Sequence, residues 1–162
     1  MAPRVGDRLP LHMSLMRLEN GAPVEVPLTP LFADKTVVLF TIPGAFTSLC
    51  RTSHFPSFAG ANGEALRAAG VDSIICIGVN DPFVMDAFNT TMGTRDSIDV
   101  LADGDGSWVR AAGMAVNLGK FGGTRARRGS FVVVDGVVRK AFLEDGPAYS
   151  GVSGGKHMLA NW

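Results

Sequence analysis

Two cysteines in 162 residues are too few for a disulfide scaffold, and Cys50 and Cys76 lack the CxxC spacing of a zinc site or a dithiol-exchange motif. Reduced, intracellular thiols are what that usage supports. Charge is also scarce: charged residues make up 19%, and 15 Lys+Arg balance 15 Asp+Glu, so the electrostatic footprint of a nucleic-acid or acidic-membrane binder is missing. Apolar runs such as Val37-Val38-Leu39-Phe40 and Phe131-Val132-Val133-Val134 fall far short of the roughly 18 residues a membrane span needs. The start, Met1 to Asp7, has no apolar h-region and already carries an acid, so no secretory signal or transit peptide is visible. A cytoplasmic location is expected, with an organelle as the alternative if a presequence was removed. The sequon Asn89-Thr90-Thr91 is then idle. His12 and His157 are isolated and suggest no metal site.

What the chain does have is apolar material, 46% of its residues, enough to bury a core in a 162-residue domain. No repeat or linker divides it, and 1–162 reads as one domain. Thr36–Ile42 is β-branched and apolar throughout, the pattern of a strand covered on both faces, and Pro43-Gly44 ends it. Ser48 to Ala69 carries apolar residues at near-helical spacing and predicts a long helix kinked at Pro56. Val71–Val79 is a second buried strand. Asp81 as N-cap and Pro82 at the first helical position then open a helix over 82–92. A third strand is expected over 97–102 and a short helix over 106–114. Segments 130–134 and 137–142 flank Asp135-Gly136, a strong hairpin signal, and the last residues from Lys156 allow only a short helix. The βαβαβα order implies parallel strands between helices, with chemistry at the carboxyl ends of the strands. The first such end is Thr41–Cys50.

Cys50 falls just inside a predicted helix N-terminus, where free N–H groups and the helix dipole favour an anion, so a thiolate would be stabilised there. Thr47, three residues upstream, can place a hydroxyl beside the sulfur, and Pro43 stiffens the loop holding both. A small buried hydrophobe is the competing reading of Cys50.

Pro43-Gly44-Ala45-Phe46-Thr47-Ser48-Leu49-Cys50 resembles the P-x-x-x-T-x-x-C motif of the peroxiredoxins, the thiol peroxidases. The stretches VVLFTIPGAFTSLCRTSHFPSF, VDSIICIGVNDPFVMDAF and SIDVLADGDG are similar to the type II, peroxiredoxin-5-like subfamily, and the resemblance runs from Val5 to Glu144. It implies an α/β, thioredoxin-like fold: a mixed central sheet flanked by helices, with an N-terminal extension and a C-terminal β-hairpin. It implies Cys50 as peroxidatic cysteine, Thr47 and Pro43 beside it, and Gly44 and Phe46 in the substrate-binding loop. Counting back from Asp135-Gly136 puts the family arginine on Arg128, with Arg127 as fallback in the cluster Arg125-Ala126-Arg127-Arg128. A guanidinium is always charged and offers forked donors, so one arginine could hold both thiolate and peroxide. Gly129 stands where a bulky residue is usual, which leaves the orientation of Arg128 open.

The implied reaction is displacement at peroxide oxygen, with hydrogen peroxide and alkyl hydroperoxides as substrates and a thiol reductant (glutathione, glutaredoxin or thioredoxin) restoring the cysteine. It needs no metal, haem or flavin, and a homodimer is implied, with Phe46 at the pairing surface. Two readings stand for Cys76, in the apolar strand: an inert core thiol, or a resolving partner for Cys50. His54, four residues after Cys50, is either a base for the sulfur or a packing residue. Gly151-Val152-Ser153-Gly154-Gly155 matches the nucleophile-elbow pattern but has no acid after it, Gly154-Gly155-Lys156 lacks most of a phosphate loop, and Asp103-Gly104-Asp105-Gly106 lacks most of a calcium loop. The competing class is a thioredoxin-like module with Cys50 as a redox sensor; repeated turnover by a defined donor discriminates the two.

Overall fold

The computed structural model describes residues 1–162. A seven-stranded mixed sheet runs through the molecule: β1 (Ser14–Glu19), β2 (Ala22–Pro27), β3 (Thr36–Ile42), β4 (Ser73–Gly78), β5 (Asp99–Ala102), β8 (Gly129–Val134) and β9 (Val137–Leu143), in the order β2-β1-β5-β4-β3-β8-β9. Strands β3, β4 and β5 are parallel; β8 pairs antiparallel with β3 and with β9, and β1 antiparallel with β5 and β2. Helices α1 (Thr29–Phe32), α2 (Gly60–Ala68), α3 (Pro82–Thr91), α4 (Ser107–Ala111) and α5 (Gly155–Ala160) complete the fold, and β6 (Ala115–Asn117) pairs with β7 (Thr124–Ala126) in a separate ribbon.

The central strands read as unbroken apolar runs because both faces are covered. Val37 and Leu39 enter one core with Ile75, Ile77, Leu101, Phe131 and Val133. Val38, Phe40 and Ile42 enter the other with Ile74, Cys76, Val100 and Val132. This is the two-residue period of a pleated strand filling two layers. Asp81 caps α3 by accepting from the Val84 N–H at 2.9 Å, and the Asp135-Gly136 turn has φ of 47° and 77°, as the hairpin signal requires.

The expected single helix over 48–69 is three pieces. A π-helical turn covers Cys50–His54, a 3₁₀ turn Phe55–Phe58, and α2 starts only after Ala59 adopts an extended conformation. Pro56 removes an N–H donor in the middle of the run, and Gly60, at φ 55°, supplies the left-handed residue that redirects the chain. The N-terminal hairpin β1–β2 and the β6–β7 ribbon are elements the apolar pattern does not announce.

Candidate functional site

Strand β3 delivers Pro43 at its carboxyl end, and the loop to Cys50 is held by two local hydrogen bonds and one to the turn after β4. The Thr47 hydroxyl donates to the Gly44 carbonyl at 2.7 Å, the Arg51 N–H to the Thr47 carbonyl at 2.9 Å, and the Ala45 N–H to Asn80 Oδ1 at 2.9 Å. Phe46 sits at φ 66°, a conformation costly for a bulky residue, with its ring edge-on to Phe88 at 5.2 Å. The N–H groups of Gly44 and Cys50 have no acceptor within the protein. They remain available to a ligand.

Arg128, the residue immediately before β8, comes to the sulfur. Its Nη2 donates to Cys50 Sγ at 3.1 Å, its Nη1 contacts His54 Nδ1 at 3.0 Å, and its Nε donates to the Pro147 carbonyl at 3.1 Å. The Tyr149 ring lies 5.8 Å from the guanidinium carbon. Three bonds in a plane fix the orientation that Gly129 left open. A Cβ at Gly129 would stand 2.8 Å from Leu143 Cδ2 and 3.2 Å from Met114 Cε, so a larger residue there would have to displace the ends of those two side chains. The fallback, Arg127, is engaged elsewhere: its Nε donates to the Glu144 carbonyl at 2.8 Å. Arg125, in the same cluster, reaches the loop instead, donating to the Pro43 carbonyl at 3.3 Å and lying over Gly44.

His54 does not act on the sulfur. A guanidinium has no acceptor, so Nδ1 accepts from Arg128 and the ring proton belongs to Nε2, which donates to the Ser153 carbonyl at 3.1 Å. Burial, and then the Arg128 charge, lower the His54 pKa to about 3, so the ring is neutral. The packing reading of His54 fits this placement, with the addition that it holds Arg128. Ser153 of the elbow-like motif is buried, and its hydroxyl donates to Glu144 Oε2 at 2.7 Å, which rules out a hydrolase nucleophile.

Cys50 and Cys76 are both free and fully buried, on the same side of the sheet. Cys76 pairs in register with Phe40, whose ring stacks on Phe58 at 4.2 Å and meets His54 edge-on at 5.4 Å. Burial, then the neighbouring Cys50, push the Cys76 pKa well above the ordinary thiol value, so it stays a thiol. Such a position supports the core-thiol reading.

Beside the sulfur, a pocket of about 370 Å³ is lined by Pro43, Thr47, Ser48, Leu49, Leu118, Phe121, Arg128 and Pro147. A smaller polar cleft of about 290 Å³, lined by Arg17, Glu19, Asp86 and Arg95, lies between β1, α3 and the start of β5, and its charges already pair, Arg17 with Glu19 and Arg95 with Asp86. Sequence reading missed Asn80, Glu144, Ser150 and the Pro147 and Ser153 carbonyls. Arg125 was visible in its cluster, but nothing in its spacing ranked it.

A buried thiol facing a fixed guanidinium at the carboxyl end of a thioredoxin-like sheet defines a class, the cysteine-based peroxidases. The redoxin family model matches residues 4–156. The chain is 39% identical over 153 residues to a chloroplastic peroxiredoxin-2E of Arabidopsis thaliana, covering 92% of this chain and 65% of that relative's length. It is 37% identical over 161 residues to peroxiredoxin-2D of the same plant, covering 98% of both. A crystal structure of reduced Prx3 from Vibrio vulnificus in complex with hydrogen peroxide superposes with a TM-score of 0.90 at 36% identity, over 98% of this chain and 94% of that one. The chain belongs to the redoxin family, among the type II peroxiredoxins.

Proposed function

We propose that the protein reduces hydrogen peroxide and organic hydroperoxides at Cys50. The observation that carries this reading is the 3.1 Å bond from Arg128 Nη2 to the Cys50 sulfur, beside a pocket that Pro43 and Thr47 also line. The thiolate lone pair attacks the terminal peroxide oxygen and forms an S–O bond. The O–O pair leaves with the second oxygen, which takes a proton to become water or an alcohol, and Cys50 becomes a sulfenic acid. Arg128 stabilises the sulfur before attack and the charge moving to oxygen during it, a fixed donor aimed along the reaction path. The Gly44 and Cys50 N–H groups add donors. The Thr47 proton is committed to Gly44, so Oγ1 serves as acceptor for the peroxide O–H.

Recycling then falls to an external thiol, glutathione, glutaredoxin or thioredoxin: it attacks the sulfenic sulfur, releases water and leaves a mixed disulfide that a second thiol reduces. The full burial of Cys76 within β4, in register with Phe40, supports this over an internal disulfide. Because Cys50 is fully buried, the short Cys50–Phe58 turns must open for that exchange. Exposed Leu49 and Phe121 beside the pocket, and Phe46 in the loop, support a homodimer that covers this face. Named relatives are chloroplastic, mitochondrial or peroxisomal, and no helix here is long and apolar enough to cross a membrane; a reducing compartment, cytoplasm or organelle, suits the two free thiols.

Intact mass after one equivalent of hydrogen peroxide tests the reading on wild type, Cys50→Ser and Cys76→Ser. Rapid addition of one oxygen in wild type and Cys76→Ser, and none in Cys50→Ser, is expected. Loss of two hydrogens in wild type alone would replace the external thiol by Cys76, and slow oxidation of all three would remove the peroxidase reading.

A further inference from the structure

Glu144 follows β9 and is 3% exposed, yet it touches neither the sulfur nor the pocket. Both of its oxygens are saturated. Oε1 accepts from the Ser150 N–H at 2.9 Å and hydroxyl at 2.7 Å; Oε2 accepts from the Ser153 N–H at 3.1 Å and hydroxyl at 2.7 Å. Its backbone is tied to Arg128, whose carbonyl accepts from the Glu144 N–H at 3.1 Å. The circuit closes through side chains: Glu144 holds Ser153, the Ser153 carbonyl takes the His54 Nε2 proton, and His54 Nδ1 takes Arg128 Nη1.

The segment Asp145–Ser153 that Glu144 closes has no helix or strand of its own. Yet it supplies the Pro147 carbonyl and the Tyr149 ring as well as the Ser153 carbonyl, so three supports of Arg128 sit on it. Only a carboxylate accepts four bonds on two oxygens; an amide has a single acceptor and turns an NH₂ toward donors. A neutral imidazole can carry its proton on either nitrogen, and the carbonyl of Ser153 selects Nε2. A peptide carbonyl passes no proton, so the circuit transmits position.

We propose that Glu144 is a positioning residue for peroxide reduction, which through Ser153 and His54 fixes the Arg128 fork with Nη2 on Cys50. This rests on the reading of Cys50 as the peroxide nucleophile.

The test is a cycle of wild type, Glu144→Gln, Arg128→Lys and the double variant. Two readouts are the second-order rate of Cys50 oxidation by hydrogen peroxide and the protonation site of the His54 ring by ¹⁵N NMR. Glu144→Gln should slow oxidation by about ten- to a hundredfold and weaken the Nε2–H tautomer signature. In the Arg128→Lys background the same change should cost less than about twofold, because the group it positions is gone. Ser153→Ala, which removes one hydroxyl donor and keeps the backbone, should move both readouts in the same direction and carries the test if Glu144→Gln does not fold. A wild-type rate in both variants, or an equal loss from Glu144→Gln in both arginine backgrounds, would overturn the proposal. A wild type that reacts no faster than Cys50→Ser would overturn the peroxidase reading with it, whereas fast wild type with silent Glu144 variants removes the positioning role alone.

Discussion

Arg128 combines a full charge with three bonds in one plane, and a lysine can reproduce only the charge. Arg128→Lys is therefore expected to slow Cys50 oxidation by at least about tenfold with the fold retained, as stopped-flow kinetics beside circular dichroism would show; an unchanged rate would mean a point charge suffices. The neutral His54 next to it makes stability depend on pH. Its folded pKa of about 3 lies below the ordinary 6.5, so between those values the unfolded chain binds more protons than the native one. Stability should fall as pH drops from about 6.5 toward 3. Glu144 adds a second loss: burial opposes its charge, but the Ser150 and Ser153 bonds prevail and lower it from 4.5 to about 2, so its contribution is present above 4.5 and lost between 4.5 and 2. Urea midpoints across pH check the assignment. His54→Gln, which cannot charge, should flatten the profile between pH 6.5 and 4.5, and a profile parallel to wild type would contradict it.

Among the elements, those with a local physical signature were the ones legible in the sequence. The Asp81-Pro82 start placed α3 correctly, and removing its cap in Asp81→Ala should cost about 1 kcal/mol, read as a lowered thermal midpoint with the active-site rate unchanged. The Asp135-Gly136 turn likewise announced the β8–β9 hairpin. Asn20-Gly21 makes an equivalent turn, with φ of 52° and 79°, but its hairpin was not read. Strand β2 contains Pro23 and Pro27, tolerable only because it lies at the sheet edge, and an edge position cannot be seen from composition. The helix over 48–69 fails for a related reason: apolar spacing marks which residues face the core, not whether the turns are π, 3₁₀ or α. That distinction places Cys50 in a short turn able to open.

For the whole molecule, the loop from Pro43 to Cys50 could be read because its residues are contiguous, whereas the circuit around Arg128 joins Cys50, His54, Arg128, Glu144 and Ser153 across the sheet. No spacing encodes it. Arg128 itself was reached only through a counted resemblance, and Glu144 carries no motif at all. Assembly belongs to this scale too: Phe121, 74% exposed at the pocket rim, should lie in a dimer interface. Sedimentation velocity should then show a dimer that Phe121→Glu shifts toward monomer, and a wild-type monomer at all concentrations would contradict it. At this scale Cys50 should owe its reactivity to the folded site and not to the thiol alone. The rate constant for oxidation by hydrogen peroxide, measured in the native protein and in the same chain unfolded in denaturant at one pH, decides this. Native oxidation faster by about a thousandfold or more is the predicted result; equal rates would show that Arg128 and its supports do not activate the sulfur.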